Sequence, residues 1–225
     1  MDPTTLKVSM AAFFHDIGKF AGKKELEISS RDIDPYDEQL YLRSYNGKYS
    51  HYHSLYTAQF IKKFSDLLPQ ELTSPDWGEK DIFTNLAAMH HKPETPIQHI
   101  ITEADCLSSG WDRDKFDKEY HLYPTFKEYK KTRLLPILEQ LNPVENQQSD
   151  SISDYEYRYP LKPVSAEIIF PFPKENVVPE NNIKADKEYK ELFDSFINNL
   201  KILSHKDDIE LWYEHFDSLM MIYTS

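Results

Sequence analysis

The sequence contains a single cysteine, Cys106, in 225 residues, so no disulfide can form within the chain. It has no apolar run near the roughly 18 to 20 residues that a membrane-spanning helix needs. Its start, MDPTTLKVSM, lacks the basic residues and the apolar stretch of a signal peptide. Without an apolar run or a signal peptide, we expect a protein that is not associated with a membrane and that is located in the cytoplasm. The single cysteine is compatible with a reducing compartment.

Basic residues are scarce relative to acidic ones. The chain has 26 Lys and Arg against 38 Asp and Glu, which gives a formal net charge of −12. A field of that sign repels phosphate backbones, so any nucleic-acid contact would have to come from a local basic patch, a metal site or a partner subunit. The charge therefore argues against a freestanding nucleic-acid-binding protein.

Apolar and aromatic side chains are abundant. Hydrophobic residues make up 40% of the chain, with 13 Phe and 15 Tyr, which excludes a disordered protein. Apolar positions recur with a helical period in several segments, and we expect a mainly α fold, a helical bundle. These segments are 6–20, 54–68, 79–91, 96–109, 185–203 and 207–223.

The segments between these helices are less regular. Residues 23–50 form a polar connection with room for one short helix, and residues 124–141 could form a helix interrupted by Pro136. Residues 142–154 have the composition of a mobile loop. Tyrosine and proline in residues 155–172 predict a small extended or hairpin element. We expect a core domain over 1–115 and a helical C-terminal extension over 116–225.

The most informative polar residues fall at the ends or on the faces of separate apolar helices. They are His15, Asp16, His53, His90, His91 and Asp105. A mixed imidazole and carboxylate set suits divalent transition metals such as Mn, Fe, Co, Ni or Zn. Two ions at such a site could activate a shared water and stabilise both oxygens of an in-line phosphoryl displacement. The pattern points to hydrolysis of a phosphodiester or a phosphomonoester.

Each member of this set also has an ordinary structural interpretation. A lone His53 is more often a hydrogen-bonded core residue, and Asp105 alone is more often a cap or an ion-pair partner. Lys19 either neutralises a substrate phosphate or is simply solvated. Burial of so many ionisable groups is costly unless a metal or partners compensate, so their joint occurrence favours a site. The remaining histidines are given no chemical role: His51, His99, His121, His205 and His215.

Four motifs in order, AFFHDIGKF, HSLYTAQF, AAMHHKPETP and ITEADCLSSGWDRD, resemble the HD superfamily of metal-dependent phosphohydrolases. More closely, they resemble the N-terminal HD domain of the large subunit of type III CRISPR interference complexes. The resemblance extends through YPLKPVSAEIIFP and the final helices, over nearly the whole chain. It differs from most HD enzymes because no histidine precedes the doublet within residues 1 to 14.

This resemblance implies a single-stranded DNA nuclease, cutting as an endonuclease or an exonuclease and dependent on one or two ions of manganese, nickel or cobalt. It also implies partners, namely the other subunits of an RNA-guided antiviral effector complex and its guide RNA. It assigns His15 and Asp16 as the metal-binding and catalytic doublet, with Lys19 beside them. The further ligands would be His53, His90 and Asp105, and His91 would be a ligand or a substrate contact. The G-G-D-D loop of the family's palm domain is absent, so we expect an excised HD domain or a split subunit.

Two other functions stay open on the sequence alone. The same ion chemistry would serve an HD phosphohydrolase that acts on nucleotides or cyclic nucleotides. Alternatively, the domain is a non-catalytic docking or structural part of a ribonucleoprotein. An open groove would favour a nucleic-acid strand, and a closed cavity would favour a nucleotide.

Overall fold

Helices account for most of the described part of the chain. A computed structural model describes residues 2–73, 80–116, 129–137 and 156–224, without the side chains of 111–116. The α-helices of this part are α1 (Pro3–Phe14), α2 (Ile17–Phe20), α3 (Pro35–Tyr41), α4 (Tyr52–Lys63), α5 (Gln70–Thr73), α6 (Phe83–Ala88), α7 (Pro96–Phe116), α8 (Lys174–Val177), α9 (Asn182–Ile202) and α10 (Ile209–Thr224). Short 3-10 turns occupy Ser65–Leu67 and Ala166–Ile168. The expected mainly α fold is confirmed.

Two small antiparallel strand pairs accompany the helices in the described ranges. In the first, β1 (Arg43–Tyr45) pairs with β2 (Lys48–Ser50) around an Asn46-Gly47 turn, in which both residues have positive φ. In the second, β3 (Tyr157–Arg158) pairs with β4 (Phe172–Pro173), which confirms the extended element expected near 155–172. The first hairpin was not expected, since residues 23–50 read as a polar connection with one short helix.

Aromatic stacking organises the core around α1. The Phe14 ring stacks on Phe216 with ring centroids 4.6 Å apart, and Phe216 in turn stacks on Trp212 at 5.0 Å. Phe83 of α6 meets Phe14 edge to face at 5.3 Å. All four rings are fully or almost fully buried. These contacts hold the C-terminal end of α1 against α6 and α10, which fixes the position of the His15-Asp16 turn that follows.

The chain divides into two compact units. One comprises residues 1–111 and 197–218, and the other comprises 112–196 and 219–225. Every candidate site residue lies in the first unit. The second unit is held internally by the buried Arg133, whose guanidinium donates to Glu188 at 2.5 Å and to the carbonyl of Val177. The expected division at residues 115 and 116 stays a prediction.

Helix boundaries differ from the sequence-based expectation at three places. The continuous helix expected over 6–20 is broken after Phe14, and a second short helix starts at Ile17. The helix expected over 79–91 is shorter, Phe83–Ala88, so His90 and His91 lie in the turn beyond it. The helix expected to stop at Gly110 continues to Phe116.

Two expectations fall on regions that the structure describes in part or not at all. Of the helix expected over 124–141, residues 129–137 are described, and 129–136 form a turn and irregular backbone rather than a helix. The loop expected over 142–154 lies outside the described residues. Within the described part of the chain, no helix is both long enough and apolar enough to cross a membrane.

Candidate metal centre

A tight turn presents the His15-Asp16 pair. It is secured by the buried Thr57 of α4, whose hydroxyl donates to the carbonyl of His15 at 2.9 Å and accepts the N–H of Gly18 at 3.0 Å. Gly18 is needed because a Cβ at this position would lie 2.0 Å from the carbonyl oxygen of His53. The backbone of α2 therefore lies directly against α4, and this contact brings Asp16 to His53.

The His90-His91 pair follows α6 and is attached to α7. The carbonyl of His90 accepts the hydroxyl of Thr102 at 2.8 Å. The His90 ring is buried, and its Nδ1 donates to the carbonyl of Ala87 at 3.0 Å. A carbonyl can only accept, so the proton of a neutral His90 is on Nδ1 and the lone pair of Nε2 faces the centre.

Three imidazoles converge on one point. The Nε2 atom of His53 lies 2.9 Å from Nε2 of His91 and 3.3 Å from Nε2 of His90. Two nitrogens bound to one ion at about 2.1 Å each are separated by roughly 3.0 to 3.4 Å at octahedral or tetrahedral angles. The two separations from His53 are therefore close to the donor spacing of a single transition-metal ion, and the ligand atoms of all three rings lie within 4.8 Å of one another.

A second group of donors shares His90 with the first. It consists of His15, His90 and Asp105, whose candidate ligand atoms lie within 4.8 Å of one another. Nε2 of His15 is 3.5 Å from Oδ1 of Asp105, and Ser109 of the same helix donates to that oxygen at 3.1 Å. The two groups together contain five of the six predicted ligands.

The sixth predicted ligand, Asp16, lies between the two groups. Its Oδ1 is 3.4 Å from Nε2 of His53 and 3.9 Å from Nε2 of His90, while its Oδ2 is 3.3 Å from Nε2 of His15. Lys19 pairs with Oδ2 at 2.5 Å. Each carboxylate oxygen thus faces a different donor group, which is the arrangement expected of a bridging ligand.

Two buried polar atoms at the centre have no hydrogen-bond partner among the described residues. They are Nε2 of His15 and Oδ1 of Asp16. An unpaired buried acceptor costs about 1 to 3 kcal/mol, and more when it is charged. A cation bound between these atoms would satisfy both, so the donor set fits a divalent transition metal.

The electrostatics of the centre favour neutral imidazoles and an ionised carboxylate. Burial lowers the pKa of His53, of His90 and of His91 to about 4, with neighbouring imidazoles adding to the effect on His90 and His91. Burial would raise the pKa of Asp16, but His15 and Lys19 beside it outweigh burial and hold that pKa well below its usual range. These are the protonation states that metal coordination requires.

His15 is the exception among the four rings. Burial would lower its pKa, but the adjacent Asp16 carboxylate, the Ala12 carbonyl and the charge of Asp105 together raise it. Its Nδ1 donates to Ala12 at 2.5 Å, which leaves Nε2 as the ring atom that can take up a second proton or bind a cation. The same two carboxylates favour both.

One residue at the centre was given no role by the sequence analysis. The ring of His51 lies 4.1 Å from that of His91 and 6.0 Å from that of His53, between centroids. Its backbone is left-handed, with φ of 58°, which turns the chain from β2 into α4. Its position two residues before His53 was the available signal. By contrast, His99 and His205 are exposed, and His121 lies outside the described residues.

No model of a known protein family matches the chain. Comparison with curated proteins and with solved structures likewise gave no significant match.

Proposed function

We propose that this chain is a metal-dependent phosphodiesterase that cuts single-stranded DNA, the HD nuclease domain of a type III CRISPR effector complex. The observation that carries the proposal is the convergence of six predicted ligands, from four separate segments, on one pair of overlapping donor groups. The motif resemblance to HD phosphohydrolases supports the same reaction class, and it alone suggests the CRISPR setting.

The chemistry follows from which side chains meet there. Hydrolysis forms a bond from a water oxygen to phosphorus and breaks the bond to one ester oxygen. A divalent ion held by the imidazoles and carboxylates would supply Lewis-acid stabilisation of the phosphate oxygens and would lower the pKa of a bound water. Asp16 orients its two oxygens toward the two donor groups. Lys19, with 62% of its side chain exposed, provides positive charge where a substrate phosphate would approach.

The exposure of the ligands supports a polymeric substrate. The side chains of Asp16, Asp105 and His15 are 30%, 22% and 21% exposed, so the acidic side of the centre is partly accessible to solvent, although Nε2 of His15 and Oδ1 of Asp16 are themselves buried. An open site admits a passing strand, whereas a nucleotide hydrolase encloses its substrate. In the cell we expect manganese, nickel or cobalt as the ion, and we expect the guide RNA and the other subunits of the effector to deliver the DNA.

The experiment is cleavage of labelled single-stranded DNA by the purified chain with added manganese or nickel. We expect cutting by the native protein, none with EDTA, and none by the His15→Ala/Asp16→Ala double variant. The matched control is His99→Ala, because His99 is an exposed histidine of α7 and its loss should leave cutting unchanged. Full activity in the double variant would refute the proposed site.

The alternative functions predict different results from the same preparation. Release of product from nucleoside phosphates or cyclic nucleotides, without cutting of DNA, would assign a nucleotide phosphohydrolase. Failure to bind manganese or nickel at micromolar concentration in calorimetry would leave only a docking or structural role. In that case the His53 and His91 contact would be a hydrogen bond between rings rather than a pair of ligands.

A further inference from the structure

The β1–β2 hairpin lies in the part of the sequence that departs most from the acidic average. Residues 39–65 contain no Asp or Glu and carry Arg43, Lys48, Lys62 and Lys63, within a chain of net charge −12. Lys62 forms an ion pair with Asp37, and Lys63 donates a hydrogen bond to the carbonyl of Leu26. Arg43 and Lys48 are exposed, and neither side chain has an ion pair or hydrogen bond among the described residues.

Exposed tyrosines are interleaved with these cations. Tyr45 is 77% exposed, Tyr52 is 45% exposed and Tyr49 is 40% exposed. Tyrosines in a hairpin commonly pack across the strands, but here Tyr45 lies opposite Lys48 and Tyr49 lies opposite Ser44. Neither ring has an aromatic or branched partner across the strands, so packing of the hairpin does not account for them.

The register places a ring and two cations together. Directly opposite residues of an antiparallel pair share a face, and so do residues two apart in one strand. Tyr45 is opposite Lys48 and two residues from Arg43, so these three side chains lie on one face. An exposed aromatic flanked by cations is the arrangement by which proteins bind single-stranded nucleic acid, with a base stacked on the ring and phosphates at the cations.

The hairpin leads directly to the metal centre. β2 ends at Ser50, whose hydroxyl donates to the carbonyl of Arg43 at 3.2 Å and lies 2.9 Å from Nδ1 of His51. His51 contacts His91, and His53 of the centre follows two residues later. At about 3.4 Å per residue, Lys48 and His53 are separated by no more than about 17 Å along the chain.

We propose that the β1–β2 hairpin is a binding platform for a single nucleic-acid strand, on which a base stacks against Tyr45 and the flanking phosphates contact Arg43 and Lys48. It rests on the proposed function, because the platform directs that strand to the metal centre. It also answers the objection from charge. The hairpin is a local basic patch of the kind that an acidic nucleic-acid enzyme needs.

The test measures the binding of fluorescein-labelled oligothymidylate of about 20 nucleotides by fluorescence anisotropy. The measurement is made in EDTA so that no cleavage occurs. We expect Tyr45→Ala to weaken binding about fivefold or more, the effect of losing one stacked base, and Tyr45→Phe to bind like the native chain. The matched control is Tyr36→Ala, because Tyr36 of α3 is 66% exposed but is flanked by Asp34 and Asp37. We expect that variant to bind normally.

The cations are tested by salt dependence. Arg43→Ala with Lys48→Ala should reduce the slope of log K against log salt by about 1.4, since each single-strand phosphate contact contributes about 0.7. Lys187→Ala, which removes a lysine that is 75% exposed, should leave the slope unchanged. Equal losses in Tyr45→Ala and Tyr36→Ala, or a duplex bound as tightly as the single strand, would overturn the platform.

These results separate the two proposals. Binding that depends on Tyr45 without any metal-dependent cutting would support the platform and refute the nuclease. If Tyr45→Ala cuts DNA with unchanged KM and binds it with unchanged affinity, the result would support the nuclease and refute the platform. Circular dichroism checks that each variant is folded, which we expect because all three platform side chains are exposed.

Discussion

Gly18→Ala tests whether the contact between α2 and α4 builds the metal centre. The added Cβ would lie 2.0 Å from the carbonyl oxygen of His53 and 2.5 Å from the backbone nitrogen of Thr57. Both are main-chain atoms of α4, so no side-chain rotation relieves the contact. The backbone at Gly18 must retreat by about 1 Å to reach the 3.0 Å below which Cβ contacts are essentially never found.

The expected cost follows from three terms. Overpacking of a close-packed site costs about 1 to 3 kcal/mol, and losing the hydrogen bond from the Gly18 N–H to Thr57 costs about 1 kcal/mol more. Alanine recovers about 1 kcal/mol through its helix propensity. The net destabilisation is about 3 kcal/mol, at the upper end of the range because the opposing atoms belong to the backbone. A Gly110→Ala variant is the control, because its Cβ meets nothing within 4 Å and should stabilise α7 by up to about 1 kcal/mol.

The assay is equilibrium urea unfolding of the metal-free protein, combined with calorimetric titration of manganese. We expect Gly18→Ala to lower the urea midpoint and also to weaken manganese binding by tenfold or more. The second effect arises because Asp16 moves with α2 and its Oδ1 is only 3.4 Å from Nε2 of His53. Unchanged stability in Gly18→Ala, or equal shifts in Gly18→Ala and Gly110→Ala, would refute the argument that this contact sets the geometry.

Three further predictions concern the core, the turn and the pH dependence. Phe216→Ala removes a fully buried ring stacked between two others and should cost about 3 to 5 kcal/mol in urea unfolding; a loss below about 1 kcal/mol would contradict this packing. Thr57→Val leaves the carbonyl of His15 and the N–H of Gly18 unpaired and should cost about 1 to 3 kcal/mol, which Thr57→Ser should restore. The free energy of unfolding of the metal-free protein should fall as the pH drops from about 6.5 to about 4, because the unfolded chain then binds protons that the folded chain excludes. Each histidine with a lowered pKa contributes at most about 1.4 kcal/mol per pH unit to this fall. The raised pKa of His15 acts in the opposite direction, and a urea midpoint that is constant over this range would contradict the prediction. The rings concerned, each with a pKa lowered to about 4, are His53, His90 and His91.

The apolar periodicity was enough to predict the helical class, but it could not locate the break at His15. Apolar positions continue in phase through Ile17 and Phe20, both buried, so the pattern reads as one helix. The break depends on Thr57, whose hydroxyl bonds on both sides of the turn from a position far along the chain. The turn is thus set by a tertiary contact that no local pattern contains.

Gly110 and His51 show two other limits of local patterns. The glycine marked a helix end in the sequence, yet a glycine inside a helix costs only about 1 kcal/mol, and a helix of this length absorbs it. His51 was set aside because nothing in its neighbours requires a role. Its ring reaches His91 only through a left-handed backbone conformation. The stretch without carboxylates over 39–65, on the other hand, was readable directly from the sequence.

His15 and His90 both follow the C-terminal end of a helix, and both rings are oriented in the same way. The last carbonyls of a helix have no partner within it, and His15 and His90 each donate Nδ1–H to a carbonyl three residues earlier, those of Ala12 and Ala87. In both rings this fixes the proton on Nδ1 and turns Nε2 away from its own helix. The ends of α1 and α6 therefore orient the donors with main-chain carbonyls, of which that of Ala12 also accepts the backbone N–H of His15 at 3.4 Å. Asp16, placed between them, then offers one oxygen to each side. The orientation of both rings is consequently set by backbone carbonyls, so a displacement of either helix would move the donor atoms of the centre.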